Sequence, residues 1–284
     1  MDYIAIVPNL DKDPRLEYTR ETAEEILKYG KCVLLSKSLK ISCDEIKGVK
    51  YLSDREIFET ADLIVALGGD GTILNTAKDA ANYAIPVMGI NIGHLGFLSQ
   101  AEKDDKSVFK DVFSGNYTIS QSMLLKVSVC DENGEKESYL AFNDAVIRGA
   151  DSKMVTLKIS VDGTVMSEYT ADGVVCSTPT GSTAYSMSAG GPVIHPSLKC
   201  MLVAPVCPHS LTVRSTVLPA ESIVKAETLP PYRCEAVLTV DGKRVRVLER
   251  NESVLIQNSD RHTMLLKTPK WNFFDSIREK LNFR

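Results

Sequence analysis

Apolar and polar positions follow two different rhythms along this chain. Over the first hundred residues, short apolar runs alternate with amphipathic stretches. Residues 3–7 are apolar and β-prone and read as a first strand. Leu16, Ala23, Ile26 and Leu27 then fall on one helical face, with Gly30 where a C-cap belongs. Residues 32–35 form a second short strand pattern. Residues 61–67 form a third, nearly continuous in apolar side chains, as expected of a strand buried on both faces. That run leads straight into Gly68-Gly69-Asp70-Gly71, after which Ile73, Leu74, Ala77 and Ala81 keep helical spacing. Residues 86–90 give a fourth strand. Strand–helix–strand repetition of this kind predicts a parallel sheet covered on both faces.

Near residue 120 the rhythm changes. Residues 124–130, 139–147, 155–161, 165–169, 173–177, 236–240, 245–248 and 253–256 are short and β-prone. Between several of them stand Asn133-Gly134, Asp162-Gly163 and Asp241-Gly242, dipeptides suited to tight hairpin turns. Helical spacing returns at residues 271–281, with Phe273, Phe274, Ile277 and Leu281 on one face. The expected architecture is α+β. An N-terminal α/β domain with a Rossmann-like parallel sheet covers residues 1–100, and an antiparallel β-rich domain covers 101–269. A C-terminal helix within 270–284 packs back onto the first domain.

Composition narrows the function. The chain has 284 residues, 44% of them apolar and 25% charged, with a net charge of −4. That balance suits a globular protein, and it lacks the basic stripe that a nucleic-acid partner calls for. No apolar run approaches the roughly 18 residues of a membrane span, and the N-terminus lacks the basic start of a signal peptide. The seven cysteines include no Cys-x-x-Cys and read as reduced, mostly buried residues, so a cytoplasmic location is expected. His94, His195, His209 and His262 lack zinc or triad spacing, and no Gly-x-Ser-x-Gly occurs, which leaves hydrolase readings little support.

Two segments carry candidate chemistry. In Gly68-Gly69-Asp70-Gly71-Thr72 a buried strand ends, three glycines surround one carboxylate and a helix begins. Glycines allow close backbone approach, and the helix start offers free N–H groups to a phosphate. The Gly-Lys-Ser/Thr ending of a Walker A loop is missing. An aspartate in such a loop either holds Mg²⁺ between phosphates or accepts a proton from an attacking hydroxyl. The plainer alternative is a tight turn with an aspartate N-cap. The second segment, Thr178 to Pro192, is dense in small hydroxyl residues around Tyr185. It reads either as a solvent-facing loop or as the lining of a polar pocket with a ring available for stacking on a base.

Together these segments resemble the NAD kinase family. The matching stretches are Gly68-Gly69-Asp70-Gly71-Thr72, residues 91–98, Asn143-Asp144, Asp172-Gly173, Thr178–Ser186 and Cys207-Pro208-His209-Ser210-Leu211, in the family's order. The ending around Arg278-Glu279-Lys280-Leu281 is similar too. The glycine–aspartate loop alone is shared with phosphofructokinases and lipid kinases, whereas the 178–186 stretch is far more specific. The resemblance implies Mg²⁺-dependent (or other divalent-cation-dependent) transfer of a phosphoryl group from ATP to the 2′-hydroxyl of the adenosine ribose of NAD. It puts Asp70 in the role of general base and turns Gly68, Gly69 and Gly71 toward phosphates, with Asn75 near the substrate. Asn143 and Asp144 would grip the ribose hydroxyls, Thr183, Ala184, Tyr185 and Ser188 would bound the adenine, and Ser186 would stand among the nucleotide-binding residues. Asp172 would reach NAD at a contact between copies, implying a homodimer or homotetramer. NAD would lie between the two domains, and no direct protein ligand to the metal is implied. Cys207, His209 and His94 read as structural.

This sequence departs from the family in two places. Gln121-Ser122 stand where the family often carries arginine, and Lys243 replaces the glutamine of an Asp-Gly-Gln turn. Two rival readings remain. A lipid or sugar kinase with the same loop would need an acyl channel or an arginine-rich sugar-phosphate site. A non-catalytic NAD(P) sensor would have no use for a base at Asp70.

Overall fold

The computed structural model describes residues 1–41, 45–93 and 96–281. The chain forms two compact units, Met1–Gln121 with His262–Arg284, and Ser122–Arg261. In chain order the elements up to residue 113 are β1 (Tyr3–Pro8), α1 (Glu17–Lys28), β2 (Cys32–Ser36), β3 (Val49–Leu52), α2 (Asp54–Thr60), β4 (Leu63–Gly68), α3 (Asp70–Ala81), β5 (Pro86–Asn91), β6 (Ser99–Glu102) and α4 (Ser107–Phe113). The remainder are β7 (Thr118–Asp131), β8 (Gly134–Ala141), β9 (Asp144–Gly149), β10 (Val155–Val161), β11 (Thr164–Ala171), β12 (Gly173–Ser177), α5 (Tyr185–Ser188), β13 (Cys200–Val206), β14 (Thr216–Pro219), β15 (Val224–Leu229), β16 (Ala236–Val240), β17 (Lys243–Leu248), β18 (Ser253–Lys267) and α6 (Phe273–Leu281).

In the first unit β5, β4, β1, β2 and β3 lie side by side in that order, all parallel, and the end of β18 adds on beside β5. The core joins Ile4, Ile6, Val65, Leu67 and Met88 of the sheet to Ile26 of α1 and to Val108, Phe109 and Val112 of α4. Because α4 packs in this core and β6 pairs with β5, the unit runs to Gln121 rather than to residue 100. From β1 the chain winds outward one way to β2 and β3 and the other way to β4 and β5. The strand order therefore reverses between β1 and β4, and the crevice at the carboxyl ends of such a pair is where open α/β sheets hold ligands. Leu16 does not lie in α1. It is buried just ahead of the helix with φ 54°, while the Asp13 carboxylate accepts the N–H groups of Tyr18 and Thr19 at 3.2 and 2.9 Å.

The second unit is antiparallel. One sheet runs β14-β13-β12-β9-β16-β17, and a second ladder joins β11, β10, β15 and the start of β18. Asp162 and Gly163 (φ 50° and 80°) and Asp241 and Gly242 (φ 48° and 77°) take the left-handed conformations that a two-residue hairpin turn requires. The expected strand over 139–147 is two strands, β8 and β9, separated at Phe142-Asn143. Among the described residues no helix is long and apolar enough to cross a membrane. Six described cysteines are free thiols, but only Cys176 and Cys200 are buried, so the expectation of mostly buried cysteines does not hold; Cys43 lies outside the described residues.

Candidate active site

The glycine–aspartate loop sits at the strand-order reversal. β4 ends at Gly68, and Gly69, in an extended conformation, is the N-cap of α3. Asp70 is therefore the first helical residue and does not cap its own helix, which removes the plain capped-turn reading. Its carboxylate reaches across to the next loop instead. Oδ2 accepts the Phe97 N–H at 2.9 Å and Oδ1 the Leu98 N–H at 3.2 Å. Gly96 is a glycine for a steric reason, since a Cβ there would lie 2.6 Å from Asp70 Cγ and closer still to Oδ1. Gly68 likewise has no room for a side chain, because a Cβ would meet the Thr72 Cβ at 2.6 Å.

Two lysines approach this loop. Lys280 of α6 places its ammonium 3.3 Å from Asp70 Oδ2 and 4.2 Å from the centre of the Phe97 ring. Lys12, in the loop after β1, has its ammonium 3.0 Å from where a Cβ on Gly69 would stand and 2.9 Å from one on Gly93. Asn9 ties that loop down by donating from Nδ2 to Thr72 Oγ1 at 2.8 Å. The result is a carboxylate, two cations and the start of a helix around one set of glycines. Asn75 lines a cavity of about 310 Å³ with Asn9, Leu10, Asp11 and Thr72. His94 lies outside the described residues.

The second unit carries the other cluster. Asn143 and Asp144 stand at the break between β8 and β9, and the Asp241 carboxylate makes that break. It accepts the N–H groups of Phe142, Asn143 and Asp144 at 3.0, 2.8 and 3.3 Å, while the Asp241 N–H donates to the Asp144 carbonyl at 2.9 Å. From the other side, Thr178 Oγ1 donates to the Phe142 carbonyl at 2.7 Å and accepts the Gly181 N–H at 3.0 Å. A Cβ on Gly181 would lie 2.7 Å from Asn143 Cα, so the hydroxyl-rich loop can lie this close only with glycine there. Asp144 is 4% exposed, and burial, reinforced by the Asp241 carboxylate, raises its carboxyl to about 7. Near neutral pH it can accept or donate a hydrogen bond.

Asn143, Asp144, Ala184 and Tyr185 line one cavity of about 430 Å³, together with Arg148, Thr239 and Asp241. Tyr185 is 42% exposed, leaving a ring face open. The other residues proposed from sequence for the nucleotide sit differently. Thr183 is half-buried and its hydroxyl donates to the Thr180 carbonyl at 3.1 Å. Ser186 is fully buried, its hydroxyl lacks a partner and it does not line the cavity. Ser188 and Asp172 are exposed and outside the cavity lining. Sequence reasoning assigned no role to Lys12 or Lys280 and read Asp241 only as a hairpin residue.

The family model of the ATP-NAD kinase N-terminal domain matches residues 4–117, and that of the C-terminal domain matches residues 143–268. An NAD kinase of Clostridium botulinum (strain ATCC 19397 / Type A) is 39% identical over 288 residues, covering 100% of this chain and 98% of the relative. One from Thermoanaerobacter sp. (strain X514) is 35% identical over 288 residues and 100% of both chains. Among solved structures, yeast NADH kinase complexed with NADH superposes with a TM-score of 0.86 at 27% identity, over 100% of this chain and 88% of the other. An Archaeoglobus fulgidus NAD kinase in complex with ATP shares the fold, with a TM-score of 0.73 at 22% identity over 99% and 97% of the two chains. With both domain models matched in order and full-length relatives at this identity, the chain belongs to the ATP-NAD kinase family.

Proposed function

We propose that Asp70 is the base in the reaction of this family, transfer of a phosphoryl group from ATP to the 2′-hydroxyl of the adenosine ribose of NAD to give NADP. One observation carries this reading: the Asp70 carboxylate is fixed at the sheet's switch point by two backbone N–H groups and one ammonium. An ionised carboxylate offers about four acceptor positions, so one remains for a substrate hydroxyl. A secondary alcohol is a poor nucleophile until its proton has somewhere to go, and the rest of phosphoryl transfer is positioning and charge neutralisation. The start of α3 and Lys12 supply the positive potential that suits the donor's phosphates.

Asn143 and Asp144 hold ribose hydroxyls, the carboxylate accepting and the carboxamide doing both. Thr183, Ala184, Tyr185 and Ser188 bound the adenine. Asp172, exposed and outside the cavity of its own chain, suits a contact with NAD in a second copy, and light scattering on the purified protein tests the homodimer or homotetramer that this requires. A divalent cation such as Mg²⁺ would be held beside the Gly68–Gly71 loop by the donor's phosphates and water, with no direct protein ligand. When bound it neutralises charge on the transferred group. Six free thiols among the described residues, with Cys207 exposed, suit a reducing compartment such as the cytosol.

The test is NADP formation from NAD, Mg²⁺ and ATP by the wild type and by Asp70→Asn. The variant should bind NAD and lose about 10²–10⁴ in turnover, the contribution of general-base catalysis. Near-normal turnover in the variant would remove Asp70 from that role. Binding of NAD by the wild type without product from ATP or polyphosphate would favour the sensor reading.

A further inference from the structure

We propose that Lys280, in the C-terminal helix, is a positioning residue for Asp70, so that the end of the chain is part of the catalytic apparatus rather than a structural tail. The proposal rests on Asp70 being the base. α6 is a short amphipathic helix, and the face it buries carries Phe273 and Ser276, with Ile277 and Lys280 half-buried, while Phe274 is 62% exposed. Residues 273, 276 and 280 share one helical face. Seating Phe273 in the protein therefore delivers the residue seven positions later to the same side. That residue is a lysine, and its ammonium meets Asp70 Oδ2 at 3.3 Å.

Three features separate this pair from an ordinary surface ion pair. Its acceptor is the oxygen that also takes the Phe97 N–H at 2.9 Å, so lysine and backbone converge on one atom from two elements. The ammonium lies 4.2 Å from the Phe97 ring centre, and that ring belongs to the residue whose N–H holds the carboxylate. Both side chains are largely withdrawn from solvent, at 25% exposure for Lys280 and 34% for Asp70. A carboxylate gripped at Oδ1 by Leu98 and at Oδ2 by Phe97 and Lys280 has its plane and its remaining acceptor position defined. Without Lys280, Oδ2 keeps only the Phe97 N–H, and the carboxylate loses one of the three contacts that fix it.

The test is steady-state kinetics on the full chain with Lys280→Met, Lys280→Gln and Lys280→Arg, alone and combined with Asp70→Asn, with NAD affinity measured separately by calorimetry. Expected for Lys280→Met is a kcat about 10- to 100-fold lower, the size of effect that misplacing a reacting group produces, with NAD affinity and KM for NAD near the wild-type values. Lys280→Arg should restore most of the loss. In the Asp70→Asn background the Met substitution should change nothing further, because a residue acting through Asp70 has nothing left to act on. If Lys280→Met melts early, Lys280→Gln, which keeps a polar helix former at that position, carries the comparison. A wild-type kcat in either folded variant overturns the proposal, as does a loss that persists undiminished in the Asp70→Asn background. Neither result bears on Asp70 itself, which stands or falls on the single Asp70→Asn variant.

Discussion

Gly96→Ala offers a direct way to move the proposed base without changing its chemistry. A Cβ at Gly96 would lie 2.6 Å from Asp70 Cγ and 3.1 Å from Oδ2, with Oδ1 nearest of all. The Gly96 N–H bond to Ser99 Oγ at 3.3 Å need not change. What must give is the carboxylate, by an amount on the order of 1 Å, which for a reacting group costs about 10²-fold in rate or about 2.7 kcal/mol of barrier. Overpacking at a buried position also costs stability, about 1–3 kcal/mol, so unfolding by denaturant is measured alongside turnover. The assay is NADP formation at saturating ATP, giving kcat and KM for NAD. The expected result is a kcat about 10²-fold lower with KM for NAD little changed, since the residues proposed to hold the ribose and adenine lie elsewhere in the chain. A folded Gly96→Ala enzyme with kcat within about threefold of wild type would mean that the position of the Asp70 carboxylate does not limit turnover, and the general-base assignment would lose its geometric support.

Two further predictions concern the second cluster. Asp144 carries a native carboxyl raised to about 7 from an ordinary value of 3.8, so between about pH 4 and 7 the folded state binds more protons than the unfolded one. Its contribution to stability therefore falls as pH rises through that window, by at most about 1.4 kcal/mol per pH unit. In Asp144→Asn that component of the stability-against-pH curve should disappear while NAD affinity weakens, and an unchanged curve would refute the assignment. Asp241→Ala leaves the N–H groups of Phe142, Asn143 and Asp144 without their shared acceptor, at about 1–3 kcal/mol for each donor that water cannot reach. Chemical denaturation should show the loss and KM for NAD should rise, whereas a variant as stable as wild type with unaltered KM would show that the break between β8 and β9 does not depend on Asp241.

The centre of the parallel sheet was legible because β4 and β5 are buried on both faces. Residues 63–67 and 86–90 leave no polar position to confuse the period, and β4 and β5 are buried throughout. The hairpin turns at 162–163 and 241–242 were legible because positive φ at both positions selects Asp-Gly. Elements with little to bury were not. Helix α2 buries only Ile57, and its start is marked by the Ser53–Glu56 capping box rather than by periodicity. In α6 the apolar count was misleading. Phe273, Phe274, Ile277 and Leu281 suggest one stripe, yet the buried face runs through Phe273 and Ser276, because a small hydroxyl side chain tolerates close packing and the second phenylalanine faces outward.

Part of the candidate site is concealed in the sequence for a related reason. Motif residues announce themselves through local chemistry: glycines beside a carboxylate, an amide next to an acid, hydroxyls packed into one loop. The groups that orient them are distant in the chain and individually ordinary. Asp241 has the sequence of any hairpin aspartate, but it acts on Asn143, 98 positions away. Lys280 resembles a solvated lysine near the end of a helix, but it meets Asp70 at a separation of 210. Environment then divides the labour between two carboxylates of identical chemistry. Asp70 is part-exposed and held by two backbone N–H groups and an ammonium. Asp144 is buried beside a second carboxylate, which favours its protonated form. A residue type with one intrinsic acidity is thus set among hydrogen-bond donors at one place and buried beside a like charge at another, and the difference lies in neighbours that only the fold assembles.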